Sequence, residues 1–358
     1  MDRLSTWDTL KKSKKGFMVD YLAVPAVNAK LMNYYGVQSE KELLDIIESD
    51  FYYLSCRDIS QNESFTKCYK KSLYVSEQYR VCPFGIKWYR GAYESKFAVD
   101  EATEAPLRNA THTSDILNHP FPRPEDFDFS PLIQEAEKNS DRIIVGGLWT
   151  GIMGDSYRMY GFERFLMDSA LNPKMIHTLI DKVTDVYLEL NHSYFETLKG
   201  KLDVWFFGND FGSQMGLIMS PQMWYEYFFH NISKLCKLAN SYGIVTMMHS
   251  CGGISSIIPY LIEAGVQILD PIQITAKGMN PAELKQNFGN NLIFHGGIDT
   301  QQILPYGSAF DVEQETKRLT EILGKNGGYI LASSQVLNND VSIENIHSMY
   351  QCAKKFRY

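Results

Sequence analysis

The chain has 358 residues, of which 44% are apolar, and a net charge of −7 at pH 7. A chain of this length can bury a large core, either as one α/β barrel or as two smaller domains. The acidic balance and the lack of a long basic block argue against nucleic acid as a partner. No segment has the length of a membrane span or the pattern of a secretory signal, so we expect no membrane partner.

Six cysteines are scattered along the chain, and no two of them form a CxxC pair. They are Cys56, Cys68, Cys82, Cys236, Cys251 and Cys352. In a chain this long, scattered cysteines indicate free thiols in a reducing compartment. We therefore expect a cytoplasmic protein.

Short apolar runs rich in β-forming residues recur along the chain and predict eight strands. The runs are Phe17–Val24, Phe51–Ser55, Ile143–Trp149, Val204–Gly208, Ile244–Met248, Gln267–Asp270, Leu292–Phe294 and Tyr329–Leu331. Runs of this kind are typical of strands that are buried on both faces of a sheet.

Helical segments with clear start signals lie between these strands. Asn172-Pro173, Ser220-Pro221 and Asn280-Pro281 each place a capping residue before a proline at the first helical position. Alternating strands and helices imply parallel pairing with right-handed crossovers. Eight such units over this length favour a single (β/α)8 TIM barrel over an open doubly wound sheet.

The stretch from about 68 to 128 interrupts this alternation and is predicted to be a long insertion after the second strand. It contains Cys82–Trp88 and the proline-rich segment Pro120–Pro124. Insertions of this kind often form a lid or a dimer surface. Since no linker separates independent domains, we expect residues 1–358 to form one barrel domain that carries this insertion.

Polar residues follow six of the predicted strands at the point where each strand ends. The clusters are Trp149-Thr150, Asn209-Asp210, His249–Cys251, Asp270–Gln273, His295–Asp299 and Ser333–Gln335. An ordinary core does not need a carboxylate, imidazole or amide at nearly every strand end. Because the chemistry of (β/α)8 enzymes lies at the C-terminal ends of the strands, the six clusters predict an active site for a small-molecule substrate.

The sharpest of these clusters is His249-Ser-Cys-Gly-Gly253, directly after a buried strand. In an extended strand, residues two apart share a face, so His249 and Cys251 should point the same way. An imidazole and a thiolate that converge in this manner are typical of a zinc or catalytic site. A hydrogen-bonded core histidine beside an inert buried cysteine is the alternative.

The other candidates also have structural as well as functional interpretations. Asp210 could be a general acid/base or a turn residue, and Asp270 could face the barrel mouth or begin an Asp-Pro turn. His295 precedes two glycines that permit close approach of a ligand, or it is hydrogen-bonded structure. Trp149 could stack on a ligand or pack in the core. The candidate catalytic residues are Asp210, His249 and Cys251, and the candidate substrate-binding residues are Trp149, Asp270, Gln273, His295, Asp299 and Gln335.

Several of these motifs, taken in order, resemble the uroporphyrinogen decarboxylase superfamily. The matching stretches are Gly208–Pro221, His249–Gly253, Ile268–Gln273, Phe294–Gln301, Gly327–Leu331 and Asp340–Ile346. The resemblance runs from about residue 40 to the C-terminus. It implies a (β/α)8 barrel, which agrees with the number of predicted strands.

Members of this superfamily that decarboxylate porphyrinogens carry an N-terminal Arg-Gln-Ala-Gly-Arg motif for the propionate groups. The corresponding region here, Val24-Pro-Ala-Val-Asn28, has no arginine. Because arginine is difficult to replace in carboxylate recognition, this argues against uroporphyrinogen as the substrate. A decarboxylase of a tetrapyrrole or another acidic substrate is the alternative. It would use Asp210 to stabilise a protonated intermediate, and it directs attention to Arg57, Arg90 and Arg158.

The resemblance is greater to the cobalamin- or corrinoid-dependent methyltransferases of the superfamily. It implies transfer of a methyl group from a small methylated substrate, with a corrinoid protein docked over the barrel mouth. His249 and Cys251 would polarise the substrate, and Asp210 would be an acid/base or orienting group. A non-catalytic tetrapyrrole- or corrinoid-binding protein is the alternative from a different class. The resemblance also implies a homodimer.

The zinc-dependent methyltransferases of this kind hold zinc with a His-x-Cys pair at strand five and a cysteine near strand eight. His249 and Cys251 match the first two ligands, but the third position is occupied by Gln335, which is a poor zinc ligand. The third ligand would have to be Asp210, Asp270 or His295, or the metal is absent.

Overall fold

Thirteen strands are present in the computed structural model, which describes residues 8, 10–11, 16–54, 67–71, 75–76, 78–89 and 101–357. They are β1 (Met18–Val19), β2 (Phe51–Leu54), β3 (Tyr79–Val81), β4 (Lys87–Tyr89), β5 (Glu101–Glu104), β6 (Ile143–Trp149), β7 (Val204–Gly208), β8 (Gly212–Ser213), β9 (Gly216–Leu217), β10 (Val245–His249), β11 (Ile268–Asp270), β12 (Ile293–Ile298) and β13 (Tyr329–Ser333). Eight of them form one parallel sheet in the order β1-β13-β12-β11-β10-β7-β6-β2.

This sheet curls into a nearly closed barrel. Its free edges, β1 and β2, approach each other where the Asp50 N–H donates to the Val19 carbonyl at 2.9 Å. The Val19 N–H in turn donates to Asp50 Oδ2 at 2.8 Å. All eight predicted strands are present and neighbour each other in chain order, so the predicted (β/α)8 barrel is confirmed.

Strand β12 is longer than predicted, because it continues through Gly296 and Gly297 to Ile298. Both glycines have a positive φ, yet they stay in register with β13 opposite Leu331 and Ala332. Such a glycine pair normally indicates the end of a strand, which explains the shorter prediction. His295 therefore lies inside β12 and not at its end.

Helices surround the barrel. They are Pro25–Tyr35, Glu40–Ile47, Thr113–Leu117, Pro131–Lys138, Ile152–Tyr160, Phe162–Leu171, Pro173–Thr197, Pro221–Trp224, His230–Ser241, Ile258–Ala264, Pro281–Phe288, Ile303–Tyr306, Ala309–Leu323 and Ile343–Arg357. The three helices predicted to begin at a proline do so. Ser220 and Asn280 cap theirs with side-chain oxygens that accept backbone N–H groups, as expected at helix starts. Among the residues that the structure describes, no helix is long and apolar enough to cross a membrane.

The barrel interior is built in layers, and the lower layer is apolar. This lower layer consists of Leu10, Met18, Phe51, Val145, Val204, Val245, Met247, Ile268, Ile293 and Ile330. Two residues further along the same strands, and so on the same face, an upper layer follows. It consists of Asp20, Tyr53, Phe206, His249, Asp270 and His295, of which the two aspartates and two histidines are buried. Along these strands, a shift of two residues thus replaces apolar side chains with mostly titratable ones on the same face.

The chain between β2 and β6, where the insertion was predicted, contains a three-stranded antiparallel sheet, β3-β4-β5. Strand β5 contacts the helix Ile152–Tyr160, which follows β6 at the barrel mouth. The residues 72–74, 77 and 90–100 of this segment lie outside the described part of the chain. Of the six cysteines, Cys56 also lies outside it, and the other five are free thiols.

Candidate active site

The ends of β7 and β10 bring Asp210, His249 and Cys251 together, and we call these three residues the catalytic cluster. His249 Nε2 lies 3.3 Å from Asp210 Oδ1 and 3.3 Å from Cys251 Sγ. The Cys251 N–H donates to Asp210 Oδ1 at 3.0 Å, which fixes the carboxylate. An imidazole nitrogen, a thiol sulfur and a carboxylate oxygen all lie within 4.8 Å of one another.

The three residues of the catalytic cluster differ in their exposure to solvent. The His249 side chain is buried, whereas 54% of the Asp210 side chain is exposed. Cys251 is half-buried between them. A small molecule that enters the barrel mouth can therefore reach the sulfur and the carboxylate, while the imidazole stays inside.

Asp270 holds the other side of the His249 ring. Strands β10 and β11 are paired so that the two residues lie opposite each other, and His249 Nδ1 is 2.6 Å from Asp270 Oδ2. Because a carboxylate accepts here, Nδ1 carries a proton and Nε2 faces the cluster. Asp270 is a buried partner of the kind that orients catalytic and metal-binding histidines.

The electrostatics of the cluster favour a cation at His249. Burial alone would lower the pKa of His249, but its contacts with Asp210, Asp270 and Cys251 outweigh burial and raise that pKa well above the usual value. Partial burial would raise the pKa of Asp210, yet the hydrogen bond and charge of His249 lower it to about 2. Asp210 is therefore ionised at neutral pH.

A chain of buried contacts continues from Asp270 across the upper layer. Asp270 Oδ1 lies 2.5 Å from His295 Nδ1, and Asp20 Oδ2 lies 2.8 Å from His295 Nε2. The Tyr53 hydroxyl donates to the same Asp20 oxygen at 2.6 Å. Burial opposes the charge of His295, but the two carboxylates outweigh it and raise its pKa to about 9.

Asp20 and Tyr53 are site residues that the sequence did not identify. Asp20 follows β1 directly and interrupts an apolar run, so the pattern of polar residues at strand ends could have included it. Tyr53 gave no signal, because an inward-facing tyrosine on a strand is usually a packing residue.

Trp149 forms a wall of the mouth beside the cluster. Its ring centroid lies 5.1 Å from that of His249, and 42% of the residue is exposed. Trp149 and Thr150 have φ angles of 66° and 44°, a left-handed conformation that is rare and costly for bulky and β-branched residues. The ring covers Gly208, where a Cβ would lie only 2.7 Å from its atoms. This strained turn sets the orientation of the indole.

The two predicted glutamines both lie next to the cysteine loop. Gln273 Oε1 accepts from the Gly252 N–H at 2.8 Å, and therefore supports the backbone that follows Cys251. Gln335 Nε2 lies 3.6 Å from Cys251 Sγ, at the strand-eight position. Gln335 thus contacts the sulfur directly, and Gln273 fixes its loop.

Asp299 differs from the other candidates. Its carboxylate accepts the backbone N–H groups of Gln301, Gln302 and Ile303 at 2.9, 3.0 and 3.3 Å. These are the contacts of a capping residue in the turn before the helix Ile303–Tyr306. The structure does not bring Asp299 into the catalytic cluster.

Arg158 is the arginine that the structure places near the site. It lies on the helix Ile152–Tyr160, with its guanidinium carbon 5.3 Å from the Trp88 ring centroid and 5.0 Å from that of Tyr157. Its positive charge contributes to the low pKa of Asp210. Arg57 and Arg90 lie outside the described residues.

A barrel with a thiol, an imidazole and a carboxylate at its C-terminal mouth is the architecture of a (β/α)8 enzyme. The sequence profile of the uroporphyrinogen decarboxylase (URO-D) family matches residues 131–356, more than half of the chain. The protein therefore belongs to the uroporphyrinogen decarboxylase family. No curated protein matches the chain at a significant level.

One solved structure supports the same fold. A methyltransferase from Methanosarcina mazei is similar over 99% of this chain and 98% of its own, with a TM-score of 0.63 and 16% identity. An E. coli 3-keto-D-glucoside 4-epimerase is similar over 64% of this chain and 87% of its own, with a TM-score of 0.37 and 13% identity. At 16% identity the likeness to the methyltransferase establishes the barrel and not the reaction.

Proposed function

We propose that the protein is a methyltransferase that moves a methyl group from a small methylated substrate to a corrinoid carried by a partner protein. The convergence of Asp210, His249 and Cys251 at the barrel mouth carries this proposal. Membership of the family and the likeness to a methyltransferase fold support it.

The catalytic cluster fits a zinc ion, with Asp210 as the third ligand. Catalytic zinc sites have three protein ligands from this donor set and one open position. The three ligand atoms lie within 4.8 Å of one another and face the mouth. When bound, zinc supplies Lewis acidity and lowers the pKa of a thiol or of water. Asp210 is preferred to Asp270 and His295 as the third ligand because those two lie behind the ring, on its Nδ1 side.

The side chains of the cluster then have separate tasks. His249 and Cys251 orient and polarise the substrate, since they lie at the buried end of the mouth. Asp210 is ionised and exposed, so it orients the substrate or accepts a proton from it. Trp149 limits the access of water on the side of the imidazole.

The rim of the mouth suits a docking partner that carries a large, flat cofactor. Trp149, Met215 and Val336 are apolar residues with 42%, 78% and 39% of their surface exposed. Trp149 is the last residue of β6, Met215 lies in the turn between β8 and β9, and Val336 follows β13. Exposed apolar side chains that surround a polar centre are typical of an interaction site.

The metal assignment is tested by elemental analysis and zinc titration of the purified protein. We expect one zinc per wild-type chain, and loss of that zinc in Asp210→Asn, His249→Ala and Cys251→Ser. Cys352→Ser is the matched control, because Cys352 lies on the helix Ile343–Arg357 and its thiol donates a hydrogen bond to the Glu313 carbonyl. A wild-type protein that binds no zinc contradicts the metal assignment.

The reaction is tested with reduced corrinoid protein and a panel of methyl ethers, methylamines and methylated thiols. We expect the absorption spectrum of methyl-cobalt to appear with one of these substrates and not with the Cys251→Ser enzyme. If no substrate in the panel gives methyl-cobalt, the proposal fails for these compounds.

A decarboxylase of an acidic substrate is the second candidate, and Arg158 is the observation that favours it. An arginine at the mouth could bind a substrate carboxylate beside Asp210. This candidate predicts release of carbon dioxide without metal or corrinoid, and loss of that release in Arg158→Gln. Arg318→Gln is the control, because Arg318 pairs with Glu315 on an outer helix. Wild-type protein that releases no carbon dioxide from acidic tetrapyrroles or other carboxylic acids contradicts it.

A further inference from the structure

A continuous polar chain crosses the upper layer beneath the catalytic cluster. We call Tyr53, Asp20, His295 and Asp270 the buried relay. Each member comes from a different part of the barrel: Tyr53 from β2, Asp20 from the end of β1, His295 from β12 and Asp270 from β11. Four contacts of 2.5–2.8 Å connect Tyr53 through these residues to His249 Nδ1.

The partners in the relay fix its geometry. His295 Nε2 makes a hydrogen bond with Asp20 Oδ2 at 2.8 Å, and His295 Nδ1 makes a close contact with Asp270 Oδ1 at 2.5 Å. Asp20 receives the Tyr53 hydroxyl and His295 at one oxygen, and the Tyr21 N–H at the other at 2.7 Å. Asp270 has one histidine at each oxygen. Both carboxylates are therefore held from two sides.

The relay meets the catalytic cluster at His249. Asp270 Oδ2 accepts at His249 Nδ1 at 2.6 Å, and a carboxylate partner in this position holds an imidazole in one orientation. The opposite nitrogen, Nε2, faces Asp210 and Cys251 at 3.3 Å.

The relay is a costly way to fill the barrel. Desolvation of buried ions frequently exceeds their mutual attraction, and apolar replacement is often neutral or stabilising. The lower layer fills the same strands with hydrocarbon two residues earlier, so the fold itself does not require ions at this level. The relay therefore has a role besides packing.

Building on the proposed function, we propose that Tyr53, Asp20 and His295 are positioning residues for the metal ligand His249. They hold the Asp270 carboxylate in one orientation, and Asp270 in turn presents the Nε2 electron pair of His249 to the catalytic cluster. Their effect reaches the site through the Asp270–His249 contact.

The test combines metal titration with NMR of the histidine rings in full-length His295→Gln, Asp20→Asn and Tyr53→Phe proteins. Zinc affinity should fall by about 10- to 100-fold in the first two variants, as for other outer-shell partners, and less in Tyr53→Phe, which loses one hydroxyl. In metal-free protein, the downfield Nδ1–H signal of His249 should move upfield in the same order.

Ile293→Val is the matched control, because Ile293 lies two residues before His295 on the same face of β12. It should leave both the zinc affinity and the His249 signal unchanged. Tyr53→Phe removes no charge and keeps the ring, so it remains informative if His295→Gln fails to fold.

Two outcomes separate this proposal from the proposed function. If Asp20→Asn and Tyr53→Phe keep the wild-type zinc affinity and the wild-type His249 signal, the positioning role is overturned. If the wild-type protein binds no zinc but the His249 signal still moves in the ordered series, the metal assignment fails and the control of His249 by the relay is supported.

Discussion

The lower and upper layers of the barrel interior are made by the same strands, yet they differ in every chemical respect. Ile268 and Asp270 lie two residues apart on β11, as Ile293 and His295 do on β12. The first member of each pair packs against hydrocarbon, and the second contacts an ion. A single strand thus contributes both to stability and to the site.

This difference shows how a (β/α)8 barrel can assign stability and the functional site to separate layers. The lower layer gains free energy from apolar burial, at roughly 25 cal/mol per Å². The upper layer lacks part of this stabilisation, because the desolvation of its charged side chains costs free energy. Substitutions in the two layers should therefore change different measured quantities, even where the loss of stability is similar.

The largest effect is expected for Asp270→Asn in the upper layer. It leaves the His295 imidazolium without one of its carboxylates, and breaking a buried pair in this way costs about 3–5 kcal/mol of unfolding free energy. Zinc affinity should also fall, by about 10- to 100-fold. Denaturant unfolding and metal titration measure the two losses. Unchanged zinc affinity would mean that Asp270 is a packing residue only.

Ile268→Ala is the counterpart in the lower layer. Loss of a buried isoleucine side chain costs about 2–5 kcal/mol, because a cavity remains. Zinc affinity should stay within about twofold of the wild type, since no ion of the relay loses a partner. Comparison of the two β11 variants isolates the effect of charge from that of stability. A large loss of zinc affinity in Ile268→Ala would break the distinction between the layers.

The pH dependence of stability should come from the upper layer. The pKa of His295 is raised to about 9, from about 6.5 in an unfolded chain. Its contribution is fully present below about pH 6.5 and is lost as the pH rises through about 9, with an upper limit of about 3 kcal/mol. Urea unfolding at several pH values should show a shallower decline for His295→Gln. Ile293→Val should retain the wild-type slope, and an equally steep decline in both variants would contradict this origin.

The smallest effect is expected for Asp299→Ala, a polar residue at a strand end whose contacts belong to stability. Loss of a capping side chain costs about 1 kcal/mol. Zinc affinity and turnover should not change, because Asp299 contacts only the turn at Gln301–Ile303. Thermal unfolding combined with the methyl-transfer assay checks this. Reduced turnover without reduced stability would show that Asp299 acts in the functional site.

Most of the fold could be predicted from the sequence. Strands that are buried on both faces are apolar throughout, so they stand out from the amphipathic helices between them. The helix starts at Pro173, Pro221 and Pro281 were also predictable, since serine or asparagine before proline has a local physical cause. The Asn172 side chain, however, makes no capping hydrogen bond. Some strand bounds were wrong. Strand β1 is shorter than the predicted Phe17–Val24, and β12 and β13 extend past their predicted ends, in β12 because Gly296 and Gly297 resemble a strand end.

The site was predicted less completely, because a sequence does not show where each side-chain atom points. Sequence spacing places His249 and Cys251 on one side, but it does not show towards which neighbour each nitrogen of the ring points. Asp210, Asp270 and His295 were therefore equivalent as a third ligand. The structure separates them, because Asp210 faces Nε2 and Asp270 faces Nδ1. Tyr53 contributes only a hydroxyl, and no sequence pattern reports where such a group lies.

The contact between Asp20 and His295 joins residues that are 275 positions apart. During synthesis, His249 and Asp270 are both made before the seventh barrel strand, β12. The imidazolium that anchors Asp270 arrives with β12, and it meets Asp20 only when β13 has returned to β1. Full assembly of the site is thus coupled to closure of the barrel, and a partly folded chain holds an incomplete one.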